Sequence, residues 1–209
     1  MQGLYVITDG SVGNLLLEKV GQALRGGASL VQYRDKTVGQ GRREQEARAL
    51  RSLCHEHGAL FIVNDDMALA KVVLADGVHI GKDDAAINAA RDYLGRSAII
   101  GVSCYGSLEL ALQAASHGAD YVAFGSFFPS QTKPHAPQIP LGLLREARQR
   151  LDLPICAIGG ITLANAPDLL ANGADMLAVI TDVFNSPDIA HQAMLYRALI
   201  QDQGGHHPQ

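Results

Sequence analysis

Residues 117–125 read HGADYVAFG and residues 172–180 read NGADMLAVI. In both, a glycine and small residues lead straight into a short apolar run, the pattern of a helix end turning into a strand. The same placement recurs in GGASLVQY (26–33), HGALFIVN (57–64) and ADGVHIG (75–81). An echo of this kind points to one helix-to-strand unit used many times along the chain.

Working outward from these stretches, apolar runs recur throughout: LYVIT, SLVQY, LFIVN, GVHIG, AIIGVS, DYVAFG, PICAIGG and MLAVIT. Each is nearly continuous rather than alternating, as expected of parallel strands covered on both faces. The segments between them supply the crossovers. Asn14 to Leu24, Gln40 to His57 and Leu108 to His117 carry apolar residues at helical spacing, the last followed by Gly118 as a C-terminal cap. About eight βα units in a chain of 209 residues predict an α/β fold, a (β/α)8 TIM barrel in one compact domain over residues 1–203. A doubly wound open sheet is the alternative, because periodicity does not reveal closure. The polar end, residues 204–209, is expected to be a disordered tail, its His pair included.

Composition narrows the function. With 47% hydrophobic residues the chain can bury one sizeable core, and 17 Lys+Arg against 21 Asp+Glu leave it slightly acidic. There is no basic run suited to a nucleic-acid backbone, so no nucleic-acid partner is expected. No stretch approaches a membrane span and MQGLYVITDG has no signal-peptide pattern, so a cytoplasmic location with no membrane contact is expected. Cys54, Cys104 and Cys156 form no CxxC pair, which suggests neither disulfides nor zinc and fits a reducing compartment. A homo-oligomer is left open.

In barrels the chemistry lies at the C-terminal strand ends, and here these are polar. The third run ends in Asn64-Asp65-Asp66, and Asp83-Asp84 follow the fourth. Asp65 and Asp84 are placed to converge on a hard divalent cation, while helix capping is the competing role for each acidic pair. Gln32, Arg34 and Lys36 alternate along one strand and so share a side, facing either an anionic ligand or the barrel's own acids. Gly159-Gly160 after the seventh run, with Thr181 ending the eighth, suit a phosphate bound by backbone N–H groups. Ser103 ends the fifth strand with no base beside it in sequence, so a nucleophile is not indicated. Cys104 next to it is placed where it could be exposed. His79, in an apolar run, reads as a satisfied core residue, and Cys156 as a small buried hydrophobe.

Taken together, LYVITD, VQYRDK, FIVNDD, ADGVHIG, GVSCY, GADYVAFGSFFPSQTK and AIGGIT resemble the thiamine phosphate synthase family over nearly the whole chain. The resemblance implies a (β/α)8 barrel. It also implies a transferase that joins hydroxymethylpyrimidine diphosphate to hydroxyethylthiazole phosphate, with Mg2+ as cofactor and pyrophosphate as leaving group. Gln32, Arg34, Lys36 and Asn64 would then meet the pyrimidine diphosphate, and Asp65 and Asp84 would hold Mg2+. Ser103 would sit at the reacting pyrimidine. Ser130, Thr132 and Lys133 would grip pyrophosphate, and Gly160, Ile180 and Thr181 the thiazole phosphate. Lys133, Ser103 and Arg34 would be catalytic.

The family has Thr at the position of Ser130, and a Gln-Gly pair where this chain reads Gln138-Ile139-Pro140. Gly142 reads as that glycine displaced by a short insertion. Three rivals share the barrel: a thiazole tautomerase, a non-catalytic regulator, and a phosphate-binding barrel enzyme of amino-acid biosynthesis. The first two do not account for the ND pair and the TK loop together, and the third would share only the last two loops.

Overall fold

The computed structural model describes residues 1–37, 39–81, 84–130 and 137–204, with the backbone alone at 40, 84, 85, 203 and 204. The Thr132, Lys133 and Asp83 expectations, and the tail beyond residue 204, lie outside the described residues.

Strands and helices alternate in the order β1 (Gly3–Ile7), α1 (Gly13–Arg25), β2 (Leu30–Tyr33), α2 (Gln40–Glu56), β3 (Leu60–Asn64), α3 (Met67–Val73), β4 (Gly77–Ile80) and α4 (Asp84–Leu94). They continue as β5 (Ile99–Tyr105), α5 (Leu108–Ser116), β6 (Tyr121–Phe124), α6 (Gly142–Arg150), β7 (Ile155–Ile158), α7 (Ala166–Ala171) and β8 (Met176–Val179), and finish with α8 (Thr181–Phe184) and α9 (Ile189–Gly204). Each strand pairs in parallel with its neighbours, and β8 returns to β1 through Leu4–Leu177 and Val6–Val179, so the sheet closes into a barrel. Closure removes every sheet edge and decides against the doubly wound alternative.

The continuous apolar runs are explained by two separate cores. Along β1, Leu4 and Val6 pack outward against the helices, whereas Tyr5 and Ile7 face the barrel interior with Leu30, Ile62, Tyr121, Cys156 and Met176. Gly101 on β5 belongs to the interior design. A Cβ there would stand 1.9 Å from the Tyr121 ring, so the glycine makes room for that phenol.

The repeated helix-to-strand turn is a left-handed residue followed by small residues. Gly27, Gly58, Gly118 and Gly173 hold it at φ 97°, 69°, 85° and 103°. In the fourth unit the expected glycine is not the turn residue: Leu74 turns at φ 56°, and Gly77 already lies inside β4, where a Cβ would strike the Ile99 carbonyl. An acid then precedes alternate strands and reaches back to the previous one. Asp76 accepts from the Phe61 N–H, Asp120 from Ile100 and Asp175 from Ile155, each at 2.7 Å. His55, Arg91 and Arg148 hold these acids from the helices.

Among the described residues no helix is long and apolar enough to cross a membrane.

Candidate active site

At the C-terminal ends of the strands lies a cavity of about 800 Å³. Among the residues singled out in the sequence, Gln32, Arg34, Asn64, Ser103, Ser130, Gly160, Ile180 and Thr181 line it together. Lys36 does not. β2 ends at Tyr33, so the alternation carries Gln32 and Arg34 to one side but does not extend to Lys36, which is exposed. The adjacent acid, Asp35, is taken by Arg42 at 2.6 Å, and no ion pair of Arg34 is formed among the described residues. Among the described residues the Arg34 guanidinium therefore has no carboxylate partner, and a cation left facing a cavity favours an anionic ligand.

The cavity floor is a row of hydrogen bonds crossing the barrel. Gln32 Nε2 donates to Tyr5 Oη at 2.8 Å, and the Tyr5 and Tyr121 hydroxyls meet at 2.8 Å. His79 Nδ1 lies 2.9 Å from Tyr121 Oη, and His79 Nε2 lies 2.8 Å from Ser103 Oγ. Burial pushes both phenol pKa values well up, so Tyr5 and Tyr121 keep their hydroxyl hydrogens. His79 is satisfied, as its apolar run suggests, but it also lines the cavity. Ser103, which has no base beside it in sequence, has this imidazole beside it in space because β4 and β5 pair in parallel with His79 opposite Gly101.

A register shift between Ser103 and Tyr105 ends β5, and Tyr105, at φ 54° and half exposed, stands at the cavity mouth. Cys104 is fully buried instead of exposed, since alternation turns it away from Ser103 and onto the helix side. Burial pushes its thiol up to about 12.

At the end of β3 the two acids have separate tasks. Asp66 Oδ1 accepts from the Leu69 N–H at 2.9 Å and caps α3, while its other oxygen takes Arg43 at 2.8 Å. Asp65 is left exposed in a left-handed conformation at φ 60°, and among the described residues its carboxylate receives only Asn64 Nδ2, at 2.7 Å. A non-glycine residue held there is strained, and such strain concentrates at functional positions. Asp84 is the first residue of α4, and its carboxylate lies outside the described residues.

The far wall is built from two loops. The glycine pair after β7 serves first to admit the neighbouring loop. A Cβ on Gly159 would stand 2.0 Å from Ser126 Oγ, and one on Gly160 would stand 2.3 Å from the Pro129 carbonyl. Phe127 N–H and Phe128 N–H complete the join by donating to Ile158 and Gly159. Asn165 holds the loop from below, accepting from Thr162 N–H and donating to the Gly160 carbonyl.

Thr181 does not end β8 as expected. The strand stops at Val179, and Thr181 opens the short helix α8. No hydrogen bond among the described residues uses the N–H groups of Gly160, Ile161, Thr181 or Asp182, all of which line the cavity. Unpaired N–H groups of this kind form an anion cradle. Asp182 is turned away from it, accepting from Gln192 at 2.8 Å and Tyr196 at 2.7 Å.

The return leg of the β6–α6 loop is fixed at Ile139. Its N–H donates to the Ser126 carbonyl, and its side chain rests where Gly106 has no Cβ. Gly142 opens α6 with open space where a Cβ would stand, so contacts do not require a glycine there. His79, Tyr105, Ile139 and Asp182 were not singled out as site residues from the sequence. Only the adjacency of His79 and Tyr105 to quoted strand ends could have signalled them.

Among the described residues no cluster of three or more His, Cys, Asp or Glu side chains is arranged for a metal. Comparison with known proteins agrees with the geometry. A family model described as Thiamine monophosphate synthase matches residues 4–183. The chain is 52% identical over 203 residues to the thiamine-phosphate synthase of Thioalkalivibrio sulfidiphilus, covering 96% of each, and 55% identical over 190 residues to that of Alcanivorax borkumensis, covering 90% of this chain and 88% of the other. Among solved structures it resembles the thiamine phosphate pyrophosphorylase of Pyrococcus furiosus, with a TM-score of 0.87 and 37% identity, covering 97% of this chain and 96% of that one. A family model spanning most of the chain, and relatives 52% and 55% identical over nearly all of it, show that the chain belongs to the thiamine monophosphate synthase family.

Proposed function

We propose that this chain condenses hydroxymethylpyrimidine diphosphate with hydroxyethylthiazole phosphate, giving thiamine phosphate and pyrophosphate. The observation that carries the reading is the split of one cavity into two anion-seeking ends joined by a polar floor. Arg34, with Gln32 and Asn64, faces one end, and the unpaired N–H groups of Gly160 and Thr181 face the other. Two phosphorylated substrates need such a division.

The diphosphate takes the Arg34 end, together with Ser130 and, from the segment outside the described residues, Thr132 and Lys133. Lys36 is assigned to the same diphosphate from the loop beyond β2. Mg2+ is the implied cofactor. Asp65 fits it because its exposed carboxylate is not spent on capping and an oxygen ligand suits a hard cation, with Asp84 as the second carboxylate. When bound, Mg2+ supplies positive charge to the departing pyrophosphate.

Cleavage of the carbon–oxygen bond leaves negative charge on pyrophosphate and positive charge on the pyrimidine. Arg34 and Lys133 act where the negative charge grows. Gln32 and Ser103 orient the pyrimidine ring. The thiazole phosphate is held by Gly160, Ile180 and Thr181, which brings the ring nitrogen to the pyrimidine carbon. Attack then needs no protein nucleophile, only alignment and exclusion of water.

The test incubates purified protein with both substrates and Mg2+ and follows thiamine phosphate and pyrophosphate. Stoichiometric appearance of both supports the reading, and absence of product at saturating substrates overturns it. The substrates are small molecules, and the expected cytoplasmic location is retained as part of this proposal.

A further inference from the structure

Each phenol in the floor row has one hydrogen to give. Gln32 Nε2 donates to Tyr5 Oη, so Tyr5, whose other neighbour is Tyr121, directs its own hydrogen to Tyr121. Tyr121 in turn donates to His79 Nδ1. A ring nitrogen that accepts carries no proton, so the imidazole hydrogen sits on Nε2 and points at Ser103 Oγ. Ser103 accepts it and keeps its own hydrogen for the cavity. At the opposite end, Gln32 has its amide nitrogen engaged and its carbonyl oxygen left for the cavity. The reverse order would bring two donors to Tyr5 and leave its own buried hydrogen with no acceptor.

Packing holds the row in place. Tyr121 stacks on His79 with centroids 5.6 Å apart and meets Tyr5 edge-on at 6.0 Å. Gly101 provides the space the Tyr121 ring needs.

We infer that Tyr5, Tyr121 and His79 are positioning residues that fix Gln32 as acceptor and Ser103 as donor toward the ligand. The floor then selects a heteroaromatic ring that offers an amino hydrogen to Gln32 and a lone pair to Ser103. An oxo ring presenting the reverse pattern is rejected, because two buried groups would be left unpaired. The identity of that ring rests on the pyrimidine reading above, while the proton order stands apart from it.

Long-range proton–nitrogen NMR on histidine-labelled wild-type protein, with His79 assigned by loss of its signal in His79→Gln, reads the order directly. A bare Nδ1 and a protonated Nε2 are expected, and a proton on Nδ1 overturns the inference. In turnover, Tyr121→Phe is expected to raise KM for the pyrimidine diphosphate about tenfold while kcat stays within about threefold. In a Ser103→Ala background the same change is expected to cost no more than about twofold. A full independent loss in that background overturns the relay to Ser103. Wild-type protein should also bind the amino pyrimidine diphosphate at least about tenfold more tightly than its oxo analogue, a preference that collapses in Tyr121→Phe. Equal binding of the two by wild type overturns the selection. A wild type that forms no thiamine phosphate sinks the synthase reading instead, and the NMR result then decides the proton order alone.

Discussion

A Cβ placed on Gly160 would stand 2.3 Å from the carbonyl oxygen of Pro129, and 2.8 Å from the Phe128 carbonyl carbon. Gly160 also sits at φ 61°. The loop after β6 and the loop after β7 therefore share one seat. Gly160→Ala is expected to displace the Phe128–Pro129 backbone and to cost about 1–2 kcal/mol in left-handed strain alone. Because a shift near 1 Å at a site of this kind costs about a hundredfold, kcat/KM should fall by about that much for both substrates. Steady-state kinetics with each substrate varied in turn checks this. A defect confined to the thiazole phosphate would mean that the glycine serves only the anion cradle.

Asp65 and Asp66 adjoin in sequence but separate in stability and turnover. Asp66→Ala removes the α3 cap and is expected to cost about 1 kcal/mol, lowering Tm by about 2–4 °C. Asp65→Asn relieves no cap and is expected to leave Tm nearly unchanged while raising the Mg2+ concentration needed for half-maximal rate. Thermal melts and Mg2+ titrations on both variants distinguish the roles. An unaltered Mg2+ requirement in Asp65→Asn would remove it from the metal assignment.

The eight strands were legible because each is a short run apolar on both faces, the pattern of a covered parallel sheet. Gln32 and Ser103 were legible as cavity-lining residues, Gln32 from its alternation with Arg34 and Ser103 because it closes a quoted run. Lys36 was misplaced by one assumption, that alternation continues past Tyr33, whereas the chain leaves the sheet there. Thr181 was misplaced because an apolar run does not reveal where a strand hands over to a short helix. The His79–Ser103 pair was hidden for a different reason. The two lie 24 positions apart, and only the β4–β5 register brings them together. The Gly159-Gly160 signal pointed to a loop that lines the cavity, but closely approaching protein backbone explains the glycines before any ligand does.

Asp175 bridges strands at the end of the barrel remote from the cavity, accepting from the Ile155 N–H at 2.7 Å and from Arg148 at 2.9 Å. Asp175→Ala leaves a strand-end N–H and a guanidinium without this acceptor. The expected cost is about 1–3 kcal/mol in urea unfolding, with kcat and both KM values within about twofold of wild type. Lost activity without lost stability would contradict a purely structural role.

Alkaline pH should weaken the fold. Burial pushes the thiols of Cys54 and Cys104 from 9.0 up to about 12, and Tyr5 is raised for the same reason. Above pH 9 the unfolded chain releases thiol protons that the folded chain keeps, so the unfolded state gains. This contribution is fully present below pH 9 and drains away as pH rises toward 12. Calorimetric Tm is expected to hold steady from pH 7 to 8.5 and to fall progressively above about 9. Native thiols should also resist alkylation at pH 8 and react once urea opens the barrel. Rapid alkylation without urea would show that the thiols are reachable in the fold.

Asp182 places a carboxylate in the first turn of α8, beside the N–H groups assigned to the thiazole phosphate. Left toward the cavity it would repel that phosphate. Gln192 and Tyr196 on α9 instead hold its Oδ2 at 2.8 Å and 2.7 Å, and burial, reinforced by this contact, pushes the Tyr196 pKa up. The carboxylate thus anchors α8 to α9 and keeps the cradle open. Asp182→Ala strands the buried Tyr196 hydroxyl and loosens α8, so KM for the thiazole phosphate should rise about tenfold, with KM for the pyrimidine diphosphate within about twofold. Tyr196→Phe, which removes only one of the two anchors, should give a smaller change in the same direction. A larger effect of either variant on the pyrimidine than on the thiazole substrate would place the thiazole phosphate elsewhere in the cavity.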